Sequence, residues 1–147
     1  DERSLEREGP YSEKDVMNVL RLTRENYSID ANNIFLWGHS MGGAGTYHLG
    51  MEHPELWKAL ALAAPAPPQV RDVKDLKIIE DIPILVIQGT KDRLVYPTRE
   101  WVAEMKRLEM NYIYDEIVGA DHSFFVSKNK ENMKKIFNFF AEHRDQG

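Results

Sequence analysis

The sequence predicts an α/β fold, a mostly parallel sheet flanked by helices. Three observations predict it. Short apolar runs without polar alternation, at 34–37 and 84–87, read as strands buried on both faces. Segments whose apolar residues recur at helical spacing separate such runs. Glycine or proline comes after most of the runs, where the chain must turn. Strands that alternate with helices become parallel neighbours in a sheet covered on both sides.

The elements are taken in chain order. Residues 1–10 read as a flexible tail: the first eight are mostly charged, and Gly9-Pro10 breaks them from the segment at 11–27. Ser12 before Glu13-Lys14-Asp15 is an N-cap followed by acids, and Val16, Val19, Leu20 and Tyr27 recur at helical spacing, which predicts a helix over 13–27. After a polar link at 28–33 comes the strand 34–37, and then Gly38-His39-Ser40-Met41-Gly42-Gly43. A helix rich in small residues occupies 44–52 and stops near His53-Pro54. Ala59-Leu60-Ala61-Leu62-Ala63 is short and runs into prolines at 65, 67 and 68, which favours a strand entering a loop. Pro83 and Gly89 bracket the strand at 84–87, and Thr98 is the expected cap of a helix to Leu108. Alternation over 111–118 predicts a sheet-edge strand. Ser127 is the expected start of a last helix that buries Met133, Ile136, Phe137 and Phe140.

Composition bounds the function. The 147 residues are 42% hydrophobic, with 19 Lys+Arg against 24 Asp+Glu, as in an ordinary globular domain. A complete domain of this size buries roughly two thirds of its unfolded surface. The absence of cysteine removes a disulfide scaffold, a thiolate nucleophile and cysteine-bound zinc. The net charge of −5 argues against nucleic acid as partner, because phosphate binding needs a basic face. The longest apolar run, 59–68, falls short of the roughly 20 residues of a membrane span. The charged opening residues do not form a signal peptide. The expectation is one domain over 1–147, with neither metal nor organic cofactor.

The chemistry is carried by Gly38, Ser40 and Gly42, a Gly-x-Ser-x-Gly pattern lying between a buried strand and a helix. A sharp turn there strains the central residue and lifts its side chain clear of the sheet, and it asks for small neighbours. The Met41 N–H then stands at a helix N-terminus, ready to donate to an oxyanion. A serine hydroxyl needs a base, and the base needs an acid to orient it. Of five histidines, His122 lies in Gly119-Ala120-Asp121-His122-Ser123-Phe124, between the last strand and last helix, where a parallel sheet gathers its functional loops. His39 adjoins the serine and points away from it on the turn; His48, His53 and His143 suit surface or packing roles. Asp92 is the acid of the loop after the strand at 84–87, with an Asx-turn role as the plainer reading. Asp121 is the rival acid. The order serine, acid, histidine is the one this layout uses.

These three segments resemble the α/β-hydrolase superfamily. Gly38–Gly43 looks like its nucleophile elbow, Gly89–Val95 its acid loop and Gly119–Phe124 its histidine loop. Within it, Tyr11–Val16 with Tyr27–Asp30 is similar to polyhydroxybutyrate-depolymerase-like and feruloyl-esterase-like serine esterases, and prolyl-oligopeptidase-type peptidases share much of the pattern. The resemblance implies Ser40 as nucleophile, His122 as general base and acid, Asp92 as its orienting carboxylate and the Met41 N–H as one oxyanion donor. It implies a small-molecule ester as substrate. His39 and Phe124 are candidate substrate-binding residues, and Phe124 and Phe125, next to His122, either line an acyl pocket or anchor the last helix.

One departure stands out. Nothing in the chain matches the family's His-Gly-Gly-type loop, which holds the second oxyanion donor, and the elbow comes at residue 40. The expectation is therefore the C-terminal half of an α/β-hydrolase, about four strands, with the strand at 34–37 as an apolar sheet edge. A homo-oligomer or an N-terminal segment outside the chain would complete it. Three functions stay open on the sequence: a serine esterase, a peptidase or amidase on the same triad, and a non-catalytic half-domain that needs a partner.

Overall fold

The computed structural model describes residues 2–124 and 129–145, with side chains for 12–124 and 130–145. The chain forms two compact units, Asp1–Ala31 and Asn32–Gly147. The first is a single helix, α1, Glu2–Asn26. Its backbone is helical from Glu2, so Gly9 and Pro10 lie within the helix and Ser12 is an interior residue instead of its cap. Arg21 and Glu25, one turn apart, pair at 2.7 Å.

The second unit holds β1 (Phe35–His39), α2 (Met41–Glu52), β2 (Ala59–Ala63), β3 (Ile84–Gly89), α3 (Val95–Arg107), β4 (Tyr112–Ile117) and α4 (Asn129–Glu142). Short 3₁₀ turns occupy Pro54–Leu56 and Val73–Ile79, the latter closed by a reciprocal Asp72–Asp75 cap. The strands form one parallel sheet in the order β1-β2-β3-β4, as their alternation with helices predicts. Each crossover advances one strand in the same direction. Crossovers of one hand therefore leave α2, the 73–79 turn and α3 on one face.

Burial follows the two-residue period of the strands. On one face Ala59, Ala61, Ala63, Leu85 and Ile87 pack with Ile136, Phe139 and Phe140 of α4, and the Phe35 ring stacks on Phe140 at 4.8 Å. On the other, Leu60, Leu62, Ile84 and Val86 meet the helices of the crossovers. There the Tyr47 ring of α2 lies 4.4 Å from Trp101 of α3. The small residues of α2 let it approach closely: a Cβ on Gly50 would sit 2.7 Å from Leu60 Cδ1. Replacing one of these fully buried leucines with alanine costs about 2–5 kcal/mol.

Two further details differ from the sequence reading. α3 starts at Val95, so Thr98 is a buried interior residue and not the cap. On α4, Phe139 is buried and Phe137 is 59% exposed. Positions 136, 139, 140 and 143 form one stripe at helical spacing, and 137 lies off it. The expected start of this helix at Ser127 lies outside the described residues, as does Phe125. Among the described residues no helix is long and apolar enough to cross a membrane.

Candidate active site

Parallel strands all end on one edge, and the loops after β1, β3 and β4 meet there. Ser40 comes directly after β1, with φ 57° and ψ −116°. A left-handed φ on a residue with a Cβ stores about 1–3 kcal/mol of strain, which persists only where its surroundings impose it. Here they do. The Ser40 N–H donates to the Ala63 carbonyl at 2.9 Å, and the Ser40 carbonyl accepts from Gly43, Ala44 and Ala66. Gly38 is required, since a Cβ there would meet the Gly42 carbonyl oxygen at 2.0 Å. Gly43 is the other tight position, at 2.8 Å from Pro65, whereas Gly42 has nothing within 4 Å. The need for small neighbours thus applies at 38 and 43, and does not extend to 42.

The same contacts account for the proline loop after β2. Ala64 takes φ 43°, Pro65 lies against Gly43, and the Ala66 N–H reaches the Ser40 carbonyl at 3.0 Å. The segment supports the turn from behind.

His122 Nε2 lies 2.8 Å from Ser40 Oγ, and His122 Nδ1 lies 2.7 Å from Asp92 Oδ2. The Asp92 side chain is 1% exposed, that of His122 44%. A buried acid thus faces a base that is open to an incoming molecule. Asp92 Oδ1 accepts the Leu94 N–H at 2.9 Å. Burial pushes the Asp92 carboxyl up, but the bonds from Leu94, His122 and Gln88 outweigh it and hold the group below the usual carboxylate range. A charged Asp92 favours the tautomer in which His122 Nδ1 carries the proton and Nε2 is free to accept one from serine.

The two loops are joined as well as adjacent. Lys91 N–H donates to the Ala120 carbonyl at 2.8 Å, Thr90 N–H to Ile117 at 3.1 Å, and Gly119 N–H to Thr90 Oγ1 at 2.8 Å. Asp121, the rival acid, binds Ser123 through both its N–H (3.0 Å) and its hydroxyl (2.7 Å) in an exposed local turn.

The Met41 N–H is the first of α2, a position with no carbonyl of its own helix to bond, and the Met41 side chain is 75% exposed. The His39 ring lies 5.1 Å from the His122 ring. Burial holds His39 below the usual histidine value, with a hydrogen bond to the His122 backbone opposing it. Phe124 is half-buried, two residues beyond His122. His143, by contrast, packs at the end of α4, with Nδ1 2.8 Å from the Phe139 carbonyl. Among the described residues no group of three or more His, Asp or Glu side chains is arranged to hold a metal ion.

The family model described as "Serine aminopeptidase, S33" matches residues 11–79. A thermostable esterase superposes with a TM-score of 0.74 at 29% identity, over 86% of this chain and 35% of that one. SOBER1 of Arabidopsis thaliana does so with a TM-score of 0.72 at 19% identity, over 92% of this chain and 64% of that one. The fold is thereby decided. The chain has the α/β-hydrolase fold.

A third match is FphF, a fluorophosphonate-binding serine hydrolase of Staphylococcus aureus, with a TM-score of 0.71 at 14% identity, over 90% of this chain and 63% of that one. A comparison with curated proteins finds no match. The chain spans about a third of the length of the thermostable esterase and under two thirds of the other two.

Within the α/β-hydrolase fold, the structure brings Ser40, His122 and Asp92 into one hydrogen-bonded chain, with the Met41 N–H beside the serine and the His39 ring beside the histidine. Sequence reasoning missed the buried pair Gln88 and Thr98 (1% and 2% exposed), whose side chains meet at 3.1 Å. The signal was present: Gln88 is the one polar residue in an otherwise apolar buried strand.

Proposed function

We propose that this chain carries the catalytic triad of a serine hydrolase acting on carboxylic esters. The observation that carries the reading is the unbroken contact from Ser40 Oγ through His122 to the buried Asp92, 2.8 and 2.7 Å in its two steps. In this reading His122 Nε2 takes the hydroxyl proton as Ser40 Oγ attacks the ester carbonyl carbon. The negative charge that develops on the carbonyl oxygen is met by the Met41 N–H and the positive end of α2. His122 returns the proton to the leaving alcohol, and an acyl group stays on Ser40. Water, deprotonated by His122, attacks the acyl carbon; the acid leaves and Ser40 recovers its proton. Asp92 keeps its charge throughout and stabilises the imidazolium. His39 and Phe124 border the substrate.

An oxyanion hole of this kind uses two donors, and the second is expected from a segment or partner beyond this chain. Loss of one donor costs on the order of 100- to 1,000-fold in rate. The experiment is labelling of the chain with a fluorophosphonate, which reacts only with an activated serine, together with turnover of a matched ester and anilide of the same acyl group. Labelling at Ser40 and faster ester turnover are expected. Absence of labelling in a folded chain overturns the serine-hydrolase reading and leaves the non-catalytic one. Preference for the anilide favours a peptidase, the second reading, which the description of the matching family model supports.

A further inference from the structure

We infer that His39 positions His122: its ring lies against the His122 ring and holds the plane in which that ring meets Ser40 and Asp92. The inference rests on the Ser40–His122–Asp92 reading above and deepens it. His39 is the last residue of β1. Side chains two apart in a strand share a face, so Phe35, Trp37 and His39 lie on one side of the sheet. Phe35 identifies that side, because its ring stacks on Phe140 of α4 at 4.8 Å. At the other end of the strand the His39 ring lies 5.1 Å from the His122 ring, with 33° between their planes. One strand face thus carries a ring against α4 at its start and a ring against His122 at its end. The His39 backbone is held as well, in register with the fully buried Ala63 of β2.

His122 needs such a support. Its two nitrogens are engaged in the plane of the ring, Nε2 at 2.8 Å from Ser40 Oγ and Nδ1 at 2.7 Å from Asp92 Oδ2. Two in-plane contacts stop the ring from sliding, but they oppose tilting about the line between them only weakly. The χ2 torsion of histidine is broad, so covalent geometry does not fix the plane either. The residue stands on a loop, with its side chain 44% exposed. A second ring against its face, at a separation typical of paired aromatic rings, opposes the tilt. The same contact favours the cation: when His122 takes the serine proton, the imidazolium meets an aromatic face. Burial holds His39 below the usual histidine value, which keeps it neutral at neutral pH and spares His122 a second positive charge. In this role His39 acts through His122. Its place at the substrate border is a separate property, read in affinity.

Three variants separate these effects. His39→Phe keeps an aromatic face and removes the nitrogens. His39→Leu removes the aromatic ring. His39→Gln keeps a polar group without the ring, and serves if the leucine variant does not fold. The first readout is the NMR signal of the His122 Nδ1 proton bonded to Asp92, followed in the full chain, which needs no catalysis. A proton held in a short hydrogen bond to a carboxylate resonates far downfield of the amides and exchanges slowly. The signal is expected in the parent and in His39→Phe, and broadened beyond detection in His39→Leu and His39→Gln. Its absence from the parent, or its persistence in the leucine and glutamine variants, overturns the inference. The second readout is the rate of fluorophosphonate labelling at Ser40 against probe concentration. The maximal rate is expected to fall about tenfold in His39→Leu and His39→Gln, and to recover several-fold in His39→Phe. The half-saturating concentration should change by less than about twofold. Equal loss in all three variants, or a loss confined to half-saturation, would make His39 a polar or substrate contact and overturn the inference. A parent chain that shows the downfield proton but does not label overturns the serine-hydrolase reading instead.

Discussion

Gly89 and Ala120 lie so close that a Cβ on Gly89 would stand 2.3 Å from the Ala120 carbonyl oxygen and 2.7 Å from its carbon. Gly89 ends the strand that leads to Asp92, and Ala120 lies two residues before His122. Their contact sets the separation of the two loops, and with it the 2.7 Å distance between acid and histidine.

Gly89→Ala is therefore expected to push the loops apart. Fluorophosphonate labelling should fall at least 100-fold, with a stability loss of about 1–3 kcal/mol from overpacking. Gly45→Ala, on α2 with nothing within 4 Å of the added Cβ, is expected to stabilise by about 0.5–1 kcal/mol. Urea unfolding of the two variants beside the labelling rates checks both. Equal stability changes would show that the packing at Gly89 has been misread.

Ser40 offers a second comparison. Ser40→Ala and Ser40→Gly are both expected to abolish labelling and ester turnover. The glycine variant should be the more stable of the two by about 1 kcal/mol, because only glycine takes φ 57° without steric cost. Thermal unfolding measures the difference. An alanine variant as stable as the glycine one would mean that the turn relaxes when the hydroxyl is removed.

Asp92→Asn should reduce labelling about 10⁴-fold with the fold intact, because the amide favours the wrong histidine tautomer. Asp121→Asn should change it by less than about threefold, since Asp121 serves only its local turn with Ser123. The reverse ranking would make Asp121 the working acid.

The depressed carboxyl of Asp92 also links stability to pH. Its folded-state value lies below its unfolded value of about 3.9, so the unfolded chain binds the proton more readily. Its contribution to stability is whole above the unfolded value and is lost as pH falls through the folded one. Denaturant unfolding between pH 2 and 6 should show a steeper acid loss in the parent than in Asp92→Asn. Parallel curves would mean that the folded-state carboxyl is not depressed.

Much of the fold is legible in the sequence because the signals are local. The runs at 59–63 and 84–87 carry their own apolar pattern, and their alternation with helices leaves little choice but a parallel sheet. The turn at Ser40 is legible for the same reason: glycine at 38 and a serine between strand and helix belong to a single bend. The errors arose where a neighbour decides. Thr98 has the chemistry of a cap, but α3 begins three residues earlier, and its hydroxyl goes to Gln88 instead. Phe137 and Phe139 are equally apolar, and only the position of α4 over β2 and β3 buries the second.

The sequence by itself determined the order of strands and helices, the strand-to-helix turn at Ser40, and the loops that carry the candidate serine, acids and histidine. Only the tertiary structure decided that His122 comes within hydrogen-bond reach of both Ser40 and Asp92, that Asp121 is turned to Ser123, and that the Thr98 hydroxyl meets Gln88. The physical reason is one of range. Backbone conformation and apolar periodicity are written over a few neighbouring residues, whereas the contacts of His122 with Ser40 and Asp92 join positions 82 and 30 apart in the chain, brought to a common sheet edge by the fold.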